Sequence, residues 1–111
     1  MIVSLTVSMV GDPSRELRFT LEPLHEAVES GTWTKQQENG LGVQPSTGYW
    51  SYTGSEGEIW LSESSDVFCA IRVDSDWSNA LLGGTTVLGQ GWLQRTSQGD
   101  VNVLYRLEAT T

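Results

Sequence analysis

VSLTVSMVGDPSRELRFTLE, residues 3–22, reads as two runs of alternation separated by a break. Val3, Leu5, Val7 and Met9 share one side of a period-two pattern and Ser4, Thr6 and Ser8 the other, as in a strand with one buried face. Gly11-Asp12-Pro13-Ser14 places four turn formers in a row. Leu17, Phe19 and Leu21 then alternate with Arg18, Thr20 and Glu22. The stretch predicts an antiparallel hairpin with a loop of several residues.

The same grammar continues outward. Pro23 to Gly31 admits two readings: a short helical turn with Pro near its start and Gly at its end, or an irregular strand over Ala27 to Thr34 carrying Trp33. Gln36 to Ser46, rich in Gln, Asn, Gly and Pro, reads as an exposed loop. TGSEGEIWLSES, residues 53–64, reads as a turn launching a strand, with Gly54 and Gly57 open to backbone angles closed to other residues. Val67, Cys69, Ile71 and Val73 fall on one side of a further strand, with Phe68, Ala70, Arg72 and Asp74 on the other. Thr85 to Leu88 and Gly91 to Arg95 are two β-prone pieces, and Gly89-Gln90-Gly91 between them predicts a bulge or tight turn. Ser97-Gln98-Gly99-Asp100 closes a hairpin into a last strand, with Val101, Val103, Tyr105 and Leu107 on one face. About eight short strands with turn signals every 8 to 12 residues or so predict an all-β fold. The expectation is a single-domain antiparallel β-sandwich over residues 1–111 with one wet face per sheet.

A chain of 111 residues can bury one core without disulfide or metal staples. Fourteen acidic against six basic side chains give a formal net charge of −8, which repels nucleic acid and anionic lipid headgroups. A zwitterionic or sugar headgroup is different, because its recognition rests on aromatic contact and hydrogen bonds. The single cysteine, Cys69, excludes an internal disulfide and reads as a small buried apolar residue. Residues 1–10 lack the basic start and continuous apolar block of a signal peptide, and no run approaches the roughly 18 apolar residues of a membrane span. The expectation is a soluble protein without a transmembrane segment, cytoplasmic or secreted by a non-classical route.

Catalytic signals are sparse. The single histidine, His25, has no nucleophile elbow in the chain to serve and reads as a surface or capping residue. Glu56 and Glu58 share a strand face, but two acids at that spacing read as a solvated edge and not as a glycosidase pair. Asp74-Ser75-Asp76-Trp77-Ser78-Asn79 opens like a calcium loop, yet Asn79 stands where the sharp turn needs Gly, and Thr85 replaces the bidentate acid. The expectation is a non-enzymatic protein without metal or cofactor. The aromatic residues carry the functional signal. Trp33, Tyr49, Trp50, Tyr52, Trp60 and Trp77 crowd the middle of the chain, with Trp92 and Tyr105 later. Tyr49 and Trp50 are adjacent, so on a strand they face opposite sides and one leaves the core, and Tyr52 shares the side of Trp50. Their apolar bodies and polar tips suit sugar rings or lipid headgroups.

On GTW at 31–33, the Gly- and Pro-rich loop after it, and GYWSYTGSEGEIWLSESSDVFCAIRVDSD at 48–76, the chain resembles the small cytolysin-like β-sandwiches, the aegerolysins in particular, and the broader group with actinoporin-like folds. The chain is shorter than a typical aegerolysin and lacks the cysteines of many members. The resemblance implies a sandwich that recognises membrane lipids, often sphingolipids, sometimes with a second pore-forming protein as partner. The positions it marks for headgroup binding are Trp33, Tyr49, Trp50, Tyr52, Glu56 and Trp77. Beside that expectation stand a lectin-like carbohydrate binder and, in a third class, a small β-barrel enzyme or a protein-interaction domain.

Overall fold

The computed structural model describes residues 2–23, 29–36, 47–95 and 99–110. Eight strands follow one another in chain order: β1 (Val3–Met9), β2 (Asp12–Pro23), β3 (Ser30–Gln36), β4 (Thr47–Thr53), β5 (Glu58–Glu63), β6 (Asp66–Arg72), β7 (Val87–Arg95) and β8 (Gly99–Ala109). A short helix, α1 (Trp77–Leu82), lies between β6 and β7. Each strand pairs antiparallel with the next, and β8 pairs with β1, so the sheet closes into an up-and-down barrel.

The all-β class agrees with the alternation, whereas the sandwich does not hold: the sheet is a closed barrel. Sandwich and barrel strands both show one face to a core and one to water, so they alternate alike. The ladder from Val3↔Ala109 to Met9↔Val103 decides between them, and it joins the two ends of the chain. The first hairpin forms as read, with Leu5 opposite Phe19 and Val7 opposite Leu17. Its connection is shorter than expected, two residues, because Gly11 at φ 96° makes the reversal and β2 begins at Asp12. A register irregularity after Ser8 takes residues 13–15 out of the ladder, where the missing N–H of Pro13 costs no rung. The stretch with two readings is strand from Ser30, paired with both β2 and β4, and residues 24–28 and 37–46 lie outside the described residues.

An eight-stranded barrel is just wide enough to be filled by its own side chains. Leu5, Leu21, Ile59, Leu61, Cys69, Ile71, Val103 and Leu107 occupy this interior with essentially no exposure. Phe19, Trp33 and Phe68 stack edge to face and tilted among them, with centroids 5.3 to 6.1 Å apart. Phe68 joins this cluster, against the simple alternation of β6, because the register shifts between Leu61 and Ser62 and sets Val67 opposite Ser62. Helix α1 closes the end of the barrel that carries the β4–β5 turn: its buried Trp77 packs on Trp50 (6.1 Å) and Tyr52 (5.8 Å), with Leu81 behind. Burial pushes the Cys69 thiol up to about 12, which keeps it protonated.

Among the described residues the narrowest seam of the barrel is that between β6 and β7. Strands β6 and β7 share three register pairs, Cys69↔Leu93, Ala70↔Trp92 and Ile71↔Gly91, and then diverge. Residues 87–95 form one continuous strand, not two pieces broken at Gly89-Gln90-Gly91. The glycines serve close approach: a Cβ on Gly91 would overlap the carbonyl of Ala70, and one on Gly89 would lie 2.7 Å from the Tyr105 ring. Tyr105 passes under Gly89 and donates its hydroxyl hydrogen to the carbonyl of Arg72, so a side chain from β8 ties β6 to β7 where their ladder stops. Burial first, and the Asp74 carboxylate second, push the Tyr105 phenol up to about 12.

A prediction follows from the clasp. Tyr105→Phe is expected to cost about 1–2 kcal/mol at neutral pH, because the Arg72 carbonyl loses its donor. The contribution of Tyr105 is complete below pH 10, the ordinary phenol value, and falls as pH rises toward 12, because the unfolded chain ionises first. Urea midpoints of the two proteins should therefore converge between pH 10 and 12. A gap that stays constant across that range would contradict the clasp.

Candidate functional site

Three of the residues marked for ligand binding belong to the core. Trp33, Trp50 and Trp77 are 2%, 4% and 3% exposed, too little to offer a ring to a ligand. Hydrogen bonding explains two of them: Trp33 Nε1 donates to the Ser62 carbonyl (3.0 Å) and Trp50 Nε1 to the Glu22 carbonyl (3.1 Å), so both indole N–H groups are satisfied inside. Each sits opposite a glycine, Trp33 facing Gly48 and Trp50 facing Gly31, and the missing Cβ makes room for the indole. Tyr52 is partly exposed and leans on Trp77. Glu56 is exposed in the β4–β5 turn, where its N–H and that of Gly57 both reach the Thr53 carbonyl. Gly57 holds φ 66° there, whereas Gly54 does not use the left-handed region.

Tyr49 goes outward, 57% exposed, while its neighbour Trp50 goes in, as adjacent strand residues must. It lines an open groove of about 390 Å³ with Thr32, Thr34, Thr47, Glu63 and Ser64. The six marked residues thus do not converge: three are interior, Tyr52 is at one end of the barrel, Glu56 is in a turn at that end, and Tyr49 is on the outer wall.

Two other aromatics share that wall with Tyr49. Register places Ser51 beside Trp60, Trp60 beside Ala70, Ala70 beside Trp92 and Trp92 beside Asn102, in one row across β4 to β8. Ile59, Leu61, Cys69, Ile71 and Leu93 point into the barrel, so Trp60, Ala70 and Trp92 point out. Ala70 is nevertheless fully buried while standing apart from the core cluster. Trp60 and Trp92 flank it in register on either side, each partly exposed. Trp60 Nε1 donates to the Glu58 carboxylate at 3.0 Å, which fixes the orientation of that ring. Glu58 therefore acts on Trp60 and forms no carboxylate pair with Glu56, which lies off the strand in the turn. Because Tyr49 is opposite Ser62, it is the diagonal neighbour of Trp60. Tyr49, Trp60 and Trp92 form a line of outward aromatics over four strands, bordered by Ser51, Ser62, Gln90, Gln94 and Asn102.

Trp60 and Trp92 stand outside the six marked residues, although the sequence carries a plain signal for Trp60. An indole between two aliphatic residues, Ile59-Trp60-Leu61, must face away from the core those neighbours fill.

The calcium-like segment has another purpose. The Asp74 carbonyl accepts the Trp77 N–H and the Asp76 carbonyl accepts the Ala80 N–H, so half of the supposed loop is the first turn of α1. No group of three His, Cys, Asp or Glu placed to hold a metal occurs among the described residues, and His25 lies outside them. No helix among them is long and apolar enough to cross a membrane. Comparisons with protein-family models, with curated proteins and with solved structures find no match for this chain, the aegerolysin-like group included.

Proposed function

We propose that the protein is a non-enzymatic, lectin-like binding module whose ligand is a neutral glycan held against the outer wall of the barrel. The observation that carries this reading is the outward row Trp60–Ala70–Trp92, extended by Tyr49: partly exposed aromatic residues bordered by hydroxyls, amides and the Glu58–Arg72 pair. Indole and phenol faces stack on the C–H surface of a sugar, and amide and hydroxyl groups exchange hydrogen bonds with its hydroxyls. The net charge of −8 weighs against a polyanionic ligand and leaves a neutral one unaffected. The packed interior points to the outer wall as the binding surface. The sphingolipid-headgroup reading loses support with the burial of Trp33, Trp50 and Trp77 and keeps Tyr49 and Tyr52.

Binding to immobilised neutral glycans and to sphingomyelin vesicles, each competed with free oligosaccharide, tests the reading. Glycan binding that free sugar competes is expected, with Trp60→Ala and Trp92→Ala each weakening it about thirtyfold, the effect of losing an aromatic anchor worth about 2 kcal/mol. Neither variant should lose more than about 1 kcal/mol of folding stability, since both rings lie outside the core. Vesicle binding that no sugar competes would replace this reading with the lipid one.

A further inference from the structure

We infer that the ligand on this wall is an extended, unbranched β-linked glycan chain lying across the strands, with Trp60 and Trp92 stacked on sugars two units apart; this rests on the glycan reading above. Strands β5 and β7 are separated by β6 alone, so the backbone positions that carry the two indoles are two interstrand steps apart, about 9.6 Å. That is close to the length of two hexose rings in an extended β-1,4-linked chain. In such a chain each ring is turned over relative to the one before it, so every second ring presents the same face to the same side. Two platforms at that spacing meet identical faces of alternate sugars. Between them in register is Ala70, the smallest side chain with a Cβ, which raises no bulky group between the two indoles against the intervening sugar. Tyr49, diagonal to Trp60 at about 7–8 Å, continues the line on the β4 side. A branch on the intervening sugar would meet the wall. An α-1,4-linked chain coils and brings one ring at most onto the platform.

The orientation also assigns the border. Glu58, by holding the Trp60 N–H, is a positioning residue for the stacked ring. Gln90, Gln94 and Asn102 flank Trp92 on β7 and β8, where the equatorial hydroxyls of a flat-lying chain would reach them.

Calorimetric titration with two β-1,4 series, glucose and N-acetylglucosamine oligomers from monosaccharide to hexasaccharide, and with α-1,4 glucose oligomers of the same lengths, tests the inference. The expected result is a rise in affinity of at least tenfold between disaccharide and tetrasaccharide in a β-linked series, a plateau beyond it, and no such step in the α-linked series. Trp92→Phe, which keeps an aromatic ring, should weaken the tetrasaccharide several-fold and shrink the affinity step between disaccharide and tetrasaccharide. Monosaccharide and tetrasaccharide binding equally, or the α-linked series matching the β-linked ones, would overturn the chain geometry while leaving the glycan reading intact. Absence of binding by every sugar at every length would overturn both.

Discussion

Trp33→Ala is expected to lower the unfolding free energy by about 3–5 kcal/mol, a large share of the roughly 5–15 kcal/mol that holds a domain folded. The indole is 2% exposed and holds the centre of the Phe19–Trp33–Phe68 cluster, so its removal empties volume that the barrel wall cannot collapse to fill. The Ser62 carbonyl, which accepts the indole N–H at 3.0 Å, also loses its donor. Trp33→Phe separates the two terms: it retains most of the ring and should cost about half as much. Urea unfolding followed by far-ultraviolet circular dichroism measures both. If Trp33→Ala proved as stable as the parent and lost ligand binding, the ring would belong to a binding surface after all.

Gly91→Ala is the second large effect, at about 3 kcal/mol and a melting temperature roughly 10 °C lower. One methyl group does this because its neighbours are backbone. The added Cβ would overlap the Ala70 carbonyl and lie 2.9 Å from the Ile71 Cα, and neither can rotate aside as a flexible side chain could. The strain falls on the last of the three register pairs between β6 and β7, so relief means widening the seam and breaking the closure of the barrel. Gln90→Ala, one residue away and exposed, should stay within about 0.5 kcal/mol of the parent. Equal melting temperatures for the parent and Gly91→Ala would mean that the seam tolerates a wider spacing.

These residues show what a single sequence conveys and where it stops. Alternation in β1, β2 and β8 is regular, and those strands face as read, with Val103, Tyr105 and Leu107 inside and Asn102, Leu104, Arg106 and Glu108 outside. Alternation is local, and barrel closure is not: Val3 meets Ala109 through a ladder that no periodicity encodes. Glycines in 89–91 looked like punctuation because Gly serves both turns and close approach, and the partner that decides, Ala70 on another strand, is distant in sequence. Phe68 turns inward at a register shift created jointly with β5. For the site, the adjacency of Tyr49 and Trp50 correctly sends one ring out, while the choice of Tyr49 depends on the cross-strand fit of Trp50 to Gly31 and the Glu22 carbonyl. Crowding of six rings in the middle of the chain reads as a surface patch. Three of the six, Trp33, Trp50 and Trp77, are buried, and the outward pair of indoles comes from strands β5 and β7, 32 positions apart, brought level by β6.

The indoles fall into an interior set, Trp33, Trp50 and Trp77, and an outer pair, Trp60 and Trp92. The indole N–H resonances in a proton–nitrogen correlation spectrum, followed while a β-1,4-linked tetrasaccharide is added, test that division and the function together. The predicted result is that the Trp60 and Trp92 signals move to saturation while those of Trp33, Trp50 and Trp77 hold still. Movement confined to the interior set, or no movement of any indole at millimolar sugar, would contradict it.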